Sequence, residues 1–228
     1  MNLMRTALLF FALIFSFQAD AQEKINQLDA DGKRHGLWKK TFKENPSQTR
    51  YEGTFKHGKE VGLFTFYILG QEKPAATKLF TADSDTAHVK YFTQKGKVIS
   101  EGKMLGNERI GEWKYYHLNS DKLMMTESYQ NGKLQGEKVI YFENGTPTER
   151  SNYKDGELHG EQVIFSEKGV ILKKFTYRNG ELHGPSSSYN GKGELLVEGD
   201  YRNDQHYGIW KYYEDGNLKE EKNFSAED

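Results

Sequence analysis

The sequence predicts an all-β fold: an elongated single-layer antiparallel β-meander, or solenoid, of about eight 24-residue hairpin repeats. Three observations predict it. Glycine markers recur at a near-constant interval, a second glycine turn lies eight or nine residues beyond the last four markers, and no segment longer than a turn sustains a helical period. A unit of 24 residues is too short to hold a crossover helix, so successive strands have to pair antiparallel.

The unit is plainest in NGKLQGEKVIYFENG from Asn131, DGELHGEQVIFSEKG from Asp155 and NGELHGPSSSYNGKG from Asn179. Their second glycines, Gly136, Gly160 and Gly184, are 24 apart, and Gly208 continues the series. Gly111 lies 25 before Gly136, and Gly36 and Gly62 are 26 apart. The 49 residues between Gly62 and Gly111 hold two periods, with Thr86 expected at the marker position of a worn third unit. Within a unit, a run of aromatic, β-branched and lysine residues precedes the turn glycines Gly145, Gly169, Gly193 and Gly216. Such turns call for positive φ. A return strand then ends near Tyr153, Tyr177, Tyr201 or Phe224, before pairs such as Asp155-Gly156 and Asn179-Gly180. This predicts 16 to 17 strands held by nearest-neighbour contacts. The stretch from Gly70 to Ala87 contains Pro74 and lacks a clean strand alternation, so it is expected to be the weak link.

The termini read differently. Met1 to Arg5 carries one positive charge, Ala7 to Phe17 is an apolar run of 11 residues broken by Ser16, and Ala19-Asp20-Ala21 supplies small residues before Gln22. That is the pattern of a secretory signal cleaved after Ala21, so residues 1–21 are expected to be removed and 22–228 to form one repeat domain in the periplasm or outside the cell. At the far end Lys219, Glu220, Glu221 and Lys222 make a charged edge strand that discourages further pairing, while Ile25 to Leu28 lacks that protection, which points to a monomer or at most a dimer through the N-terminal edge.

Composition narrows the function classes. Lys+Arg 32 against Asp+Glu 33 gives a net charge of −1, with no excess of either sign to recruit nucleic acid. The absence of cysteine excludes disulfides, thiol catalysis and Cys-ligated metals. His35, His159 and His183 precede their markers, but equivalent positions in neighbouring units are two strands, about 10 Å, apart. No metal or cofactor is therefore assigned to them. Ser186-Ser187-Ser188 is not in a nucleophile elbow, and Ser100-Glu101-Gly102-Lys103 falls on an expected strand rather than the helix its chemistry needs. No enzyme activity is expected.

Two columns remain. Five residues after the markers stand Tyr67, Tyr91, Tyr116, Tyr141, Phe165, Tyr189 and Tyr213, with Phe42 one step late in the first unit, an expected aromatic ladder that either holds the sheet or binds. On the opposite face, position +2 holds Trp38, Phe64, His88, Trp113 and Trp210 but Lys138, Gln162 and Ser186 in the fifth to seventh units. Position +4 shares that face and holds Phe66, Tyr115 and Tyr212 against Ile140, Ile164 and Ser188. An irregular column is free to be exposed and to specialise, which makes Trp38, Phe64, Trp113, Tyr115, Trp210 and Tyr212 the candidate binding residues. The alternative is that the tryptophans cover thinner parts of the ribbon.

Tyr51-Glu52-Gly53-Thr54-Phe55-Lys56-His57-Gly58-Lys59-Glu60-Val61-Gly62 closely resembles the MORN repeat, and Glu198-Gly199-Asp200-Tyr201 followed by Gly208 is a second approach to it. The remaining units are similar to the bacterial MORN-variant repeat of YwqK-type antitoxin-like proteins. The resemblance covers nearly all of residues 22–228 and implies a non-enzymatic scaffold for a protein or peptide partner, with peripheral envelope contact allowed. An envelope glycan or lipid headgroup is the alternative ligand. The export signal implies that any neutralised toxin acts in the envelope or arrives from outside.

Overall fold

The computed structural model describes residues 24–81 and 84–225; the expected export signal, residues 1–21, lies outside them. Every element in the described residues is a β-strand, and every pairing is antiparallel between chain neighbours, from Gln27–Leu28 at one edge to Asn217–Asn223 at the other. Two strands are interrupted just before a marker, at Gln135 and at His183. With Lys133–Leu134 and Gly136–Tyr141 taken as one strand, and Glu181–Leu182 and Gly184–Tyr189 as another, the sheet has 17 strands among the described residues.

The hairpins form because their turns are chemically suited to it. His57-Gly58, Asn131-Gly132, Asp155-Gly156 and Asn179-Gly180 hold positive φ at both residues, the backbone of the tight turn whose twist matches that of the strands it joins. The marker glycine does something different. Glu52 pairs with Thr65 and Thr54 with Val61, so Gly62, Leu63 and Phe64 together face the single residue Gly53. Gly62 takes φ 68° within this bulge, and the same arrangement recurs where Gly111 to Trp113 face Gly102 and Gly208 to Trp210 face Gly199. Each bulge bends the strand and aims the +2 side chain back across the preceding strand.

The third unit corrects the expected register. Val89 stands opposite Gly102 as Trp38 stands opposite Gly53, and the register shift that follows position +4 of the first unit at Lys40/Thr41 falls here at Tyr91/Phe92. Ala87, not Thr86, therefore occupies the marker position, and Phe92 rather than Tyr91 is the +5 residue. A slip of one residue turns a strand over; with Ala87 as the marker, Val89 is buried and His88 moves to the other face. The count of eight units stands. The segment from Gly70 to Ala87, expected to lack a clean strand, holds one: Ala76–Phe80 is a five-residue strand paired without a bulge to Lys59–Phe66 and to Thr86–Phe92. Ala87, Val89 and Trp113 form a buried cluster, with Phe80, Tyr91, Met104, Tyr115 and Tyr129 packed against it.

Candidate functional site

The +2 aromatics are not exposed. Phe64, Trp113 and Trp210 are 0%, 0% and 4% accessible, and the reason lies eleven residues earlier in each case. A Cβ on Gly53 would lie 2.4 Å from Phe64, one on Gly102 2.4 Å from Trp113, and one on Gly199 2.4 Å from Trp210. The ring lies flat on bare backbone. Its opposite face is covered as well: the Arg109 guanidinium sits 4.4 Å above the Trp113 ring, and His206 stacks on Trp210 with centroids 3.8 Å apart. Each indole N–H donates to a backbone carbonyl, Trp113 to Lys103 and Trp210 to Asp200, both at 3.0 Å.

The same geometry explains why the column varies. The residue eleven before position +2 changes in step with it: Gly53 with Phe64, Gly102 with Trp113 and Gly199 with Trp210, but Glu127 with Lys138, Ser151 with Gln162 and Phe175 with Ser186. Lys138 Nζ lies 3.6 Å from the Glu127 carboxylate, and Gln162 Nε2 donates to Ser151 Oγ at 3.3 Å. A large side chain on one strand meets a small one on the next, or two polar chains satisfy each other. The variation is volume and polarity matched across the seam between units. Among the candidates only Trp38, Tyr115 and Tyr212 are half-buried rather than buried. Tyr115 is tied into a network, since Arg109 donates to its hydroxyl at 2.6 Å and the hydroxyl donates to Glu127 at 2.7 Å. Burial, and next that bond to Glu127, pushes the Tyr115 hydroxyl well above its ordinary pKa. Tyr212 lies beneath Lys222, whose Nζ is 5.2 Å from the ring.

The +5 column is a ladder of a different kind from the one expected. Among the described residues no ring contact joins two +5 positions, because they stand two strands apart. Instead Tyr67 donates to Glu52 at 3.2 Å, Tyr116 to Glu101 at 2.5 Å and Tyr213 to Glu198 at 2.8 Å. Glu52 and Glu101 also meet Lys39 and Lys90 at 3.8 and 3.1 Å. Where the glutamate is replaced by Arg150, its guanidinium lies 6.0 Å from the ring of Phe165. The glutamate of the Tyr-Glu-Gly triplet thus has a defined task, to accept the tyrosine of the next unit.

That leaves the +1 column on the ladder face, which sequence reasoning passed over. Leu63 stands opposite Leu79, Leu79 opposite His88, His88 opposite Lys103 and Lys103 opposite Ile110, one row across five strands. Leu63 and Leu79 are 55% and 53% exposed, and Leu105, two residues beyond Lys103 on its strand, is 50% exposed. The row could have been found from sequence only once the third unit was in register, since an alignment through Thr86 places His88 on the opposite face.

Similarity to known proteins is limited. Among curated proteins no match was found. A point mutant of S. aureus TarM, solved in complex with fondaparinux, alpha-GlcNAc-glycerol and UDP, aligns at 18% identity over 42% of this chain and 19% of its own, with a TM-score of 0.30. A second TarM structure gives 17% identity over 44% and 20%, with a TM-score of 0.29. The chain thus spans about a fifth of the TarM length it is aligned with. A Bacteroides fragilis protein of unknown function aligns over 77% of this chain and 91% of its own at 9% identity and a TM-score of 0.18. The MORN repeat variant model matches residues 134–155, 158–179 and 207–226, in the fifth, sixth and eighth units. The chain therefore carries MORN-variant repeats, and they fall in units whose seams the structure closes by three different side-chain pairings.

Proposed function

We propose that the chain is an exported, non-enzymatic repeat scaffold that holds a protein or an extended peptide on the face carrying Leu63, Leu79, His88 and Lys103. The observation that supports it most is the row itself. Two large aliphatic side chains over half exposed lie directly opposite each other, with two basic residues continuing the line. A segment that alternates apolar and acidic residues matches that order, the leucines contributing burial and the Lys103 ammonium orientation. The MORN-variant repeats favour a scaffold role. The resemblance to YwqK-type proteins gives this reading its more specific form, neutralisation of a toxin that acts in the envelope. The glycan and headgroup alternative drew on flat tryptophans and on lysines; with Trp113 and Trp210 covered on both sides, it is left with Trp38 and the lysines.

The test is capture from envelope extract by immobilised residues 22–228, run beside the Leu63→Asp/Leu79→Asp variant. A stoichiometric protein partner recovered by the first and lost by the second is the expected outcome. No stoichiometric partner, or equal recovery by both, would overturn the assignment of this face. The free protein should be monomeric in light scattering, since the terminal strand Asn217–Asn223 is exposed throughout and carries the ion pairs Lys219–Glu214 and Lys222–Glu220.

A further inference from the structure

We propose that Asp29, His35 and His57, near the first edge of the sheet, form a binding site for a divalent cation of the zinc class. The three residues come from separate places: Asp29 from the turn after Gln27–Leu28, His35 from the strand Arg34–Thr41, and His57 from the hairpin turn that follows Thr49–Lys56. One ligating atom of each lies within 4.8 Å of the other two. Two imidazole nitrogens and one carboxylate oxygen are a donor set that zinc accepts, with a fourth position left to water.

The carboxylate is already oriented. Asp29 Oδ1 accepts the backbone N–H of Asp31 at 3.0 Å and of Lys33 at 2.9 Å, which turns Oδ2 toward His57 Nδ1, 2.8 Å away. Such outer bonds are what hold a metal-ligating carboxylate in place. The Asp29–His57 contact alone would be an ordinary hydrogen bond, but it does not account for His35. The His35 ring centroid lies 5.0 Å from that of His57, and among the described residues its only hydrogen bond on the ring is a stretched one at 3.5 Å from the His57 N–H to Nδ1. Two imidazoles are thus gathered at one carboxylate, neither closing the other's valences. A cation would take the place of the proton between His57 Nδ1 and Asp29, the imidazole then carrying its one proton on Nε2, and draw in the second ring.

His57 is also a departure from the repeat. The same turn position is Asn131, Asp155, Asn179 and Asn203 in other units, all at positive φ like His57 at 49°. Histidine tolerates that backbone, as asparagine does, so the turn itself does not call for a ring there. Occupancy would join the first hairpin to the second at the end of the ribbon. The side-chain exposure of His57, 61%, leaves the site open to solvent. Sequence reasoning missed it because His57 stands outside the series His35, His159 and His183, and Asp29 outside the repeat altogether.

Calorimetric titration of the full chain, carrying no affinity tag, with Zn2+ alone in a non-coordinating buffer tests this. Saturable one-to-one binding is expected, weakened at least about tenfold by His57→Asn and likewise by His35→Gln. His57→Asn restores the residue other units use and should leave the far-UV circular dichroism unchanged. His159→Asn should bind as the wild type does. Absence of one-to-one saturation, or equal affinity in wild type and both site variants, would overturn the proposal. Imidazole proton resonances of His35 and His57 that stay fixed on adding Zn2+ would do the same without any substitution.

Discussion

Gly102→Ala isolates the packing that closes the seam between the third and fourth units. Gly102 does not hold positive φ, so an alanine fits the backbone there, and replacing a glycine within a strand ordinarily stabilises by about 0.5–1 kcal/mol. Here the sign should reverse. The new Cβ would lie 2.4 Å from Trp113 Cδ2 and 2.5 Å from both Cγ and Cε2, against roughly 3.5–4.0 Å for carbon atoms in contact. The indole has to retreat by more than 1 Å, roughly the difference between those two separations. It has nowhere to go: Arg109 covers its far face at 4.4 Å, and its N–H is tied to Lys103. Distorting the packing costs about 1–3 kcal/mol. Expelling the ring would forfeit burial of about 150–250 Å2, or about 4–6 kcal/mol at 25 cal/mol per Å2. The protein takes the smaller cost, and with the backbone gain set against it Gly102→Ala should destabilise by about 1–2 kcal/mol. Urea unfolding followed by far-UV circular dichroism measures it. The double variant Gly102→Ser/Trp113→Gln, which imitates the Ser151–Gln162 pairing of the sixth unit, should be less destabilised than the sum of its two single variants. An unchanged or higher midpoint for Gly102→Ala would refute the account of the eleven-residue pairing.

Gly160, at φ 96°, should lose more than about 1 kcal/mol on replacement by valine, through backbone strain rather than crowding, and the same unfolding assay reads it. The Glu101–Tyr116 bond should shape both ends of the pH profile. Burial, and next the bond to Glu101, push the Tyr116 hydroxyl up to about 12, so the folded chain holds that proton more tightly than the unfolded one; its contribution is complete below about pH 10 and lost as the pH rises to about 12. The hydrogen bond from Tyr116 is the largest influence holding Glu101 below the usual glutamate range, so that contribution is present above the unfolded value and lost as the pH falls through the lower, folded one. Tyr116→Phe should therefore flatten the alkaline limb of midpoint against pH and weaken the acid limb; an unaltered alkaline limb would refute the coupling. In hydrogen exchange, amides from Ala87 to Val89 should be among the slowest, because that strand lies in the buried cluster, and fast exchange there would contradict the register through Ala87.

The amino-acid sequence by itself determined the period, the turns and the topology. Those are local properties: Asn179-Gly180 adopts its turn whatever its neighbours do, and a 24-residue unit leaves no length for anything but an antiparallel return. It also marked the Tyr51-Glu52-Gly53 triplet, although not what its members do. Only the tertiary structure decided which columns are covered. Whether Trp113 is open or buried depends on Gly102 beneath it and Arg109 above it, and the bulge at Gly111 brings all three together. The third unit shows the limit most directly. Thr86 and Ala87 are equally acceptable as worn markers in sequence, but the ladder admits one, because the wrong choice would put His88 against Gly102 and turn Val89 outward. The meeting of Asp29, His35 and His57 was out of reach for the same reason: residues 28 apart become neighbours only when hairpins are laid side by side in a particular register.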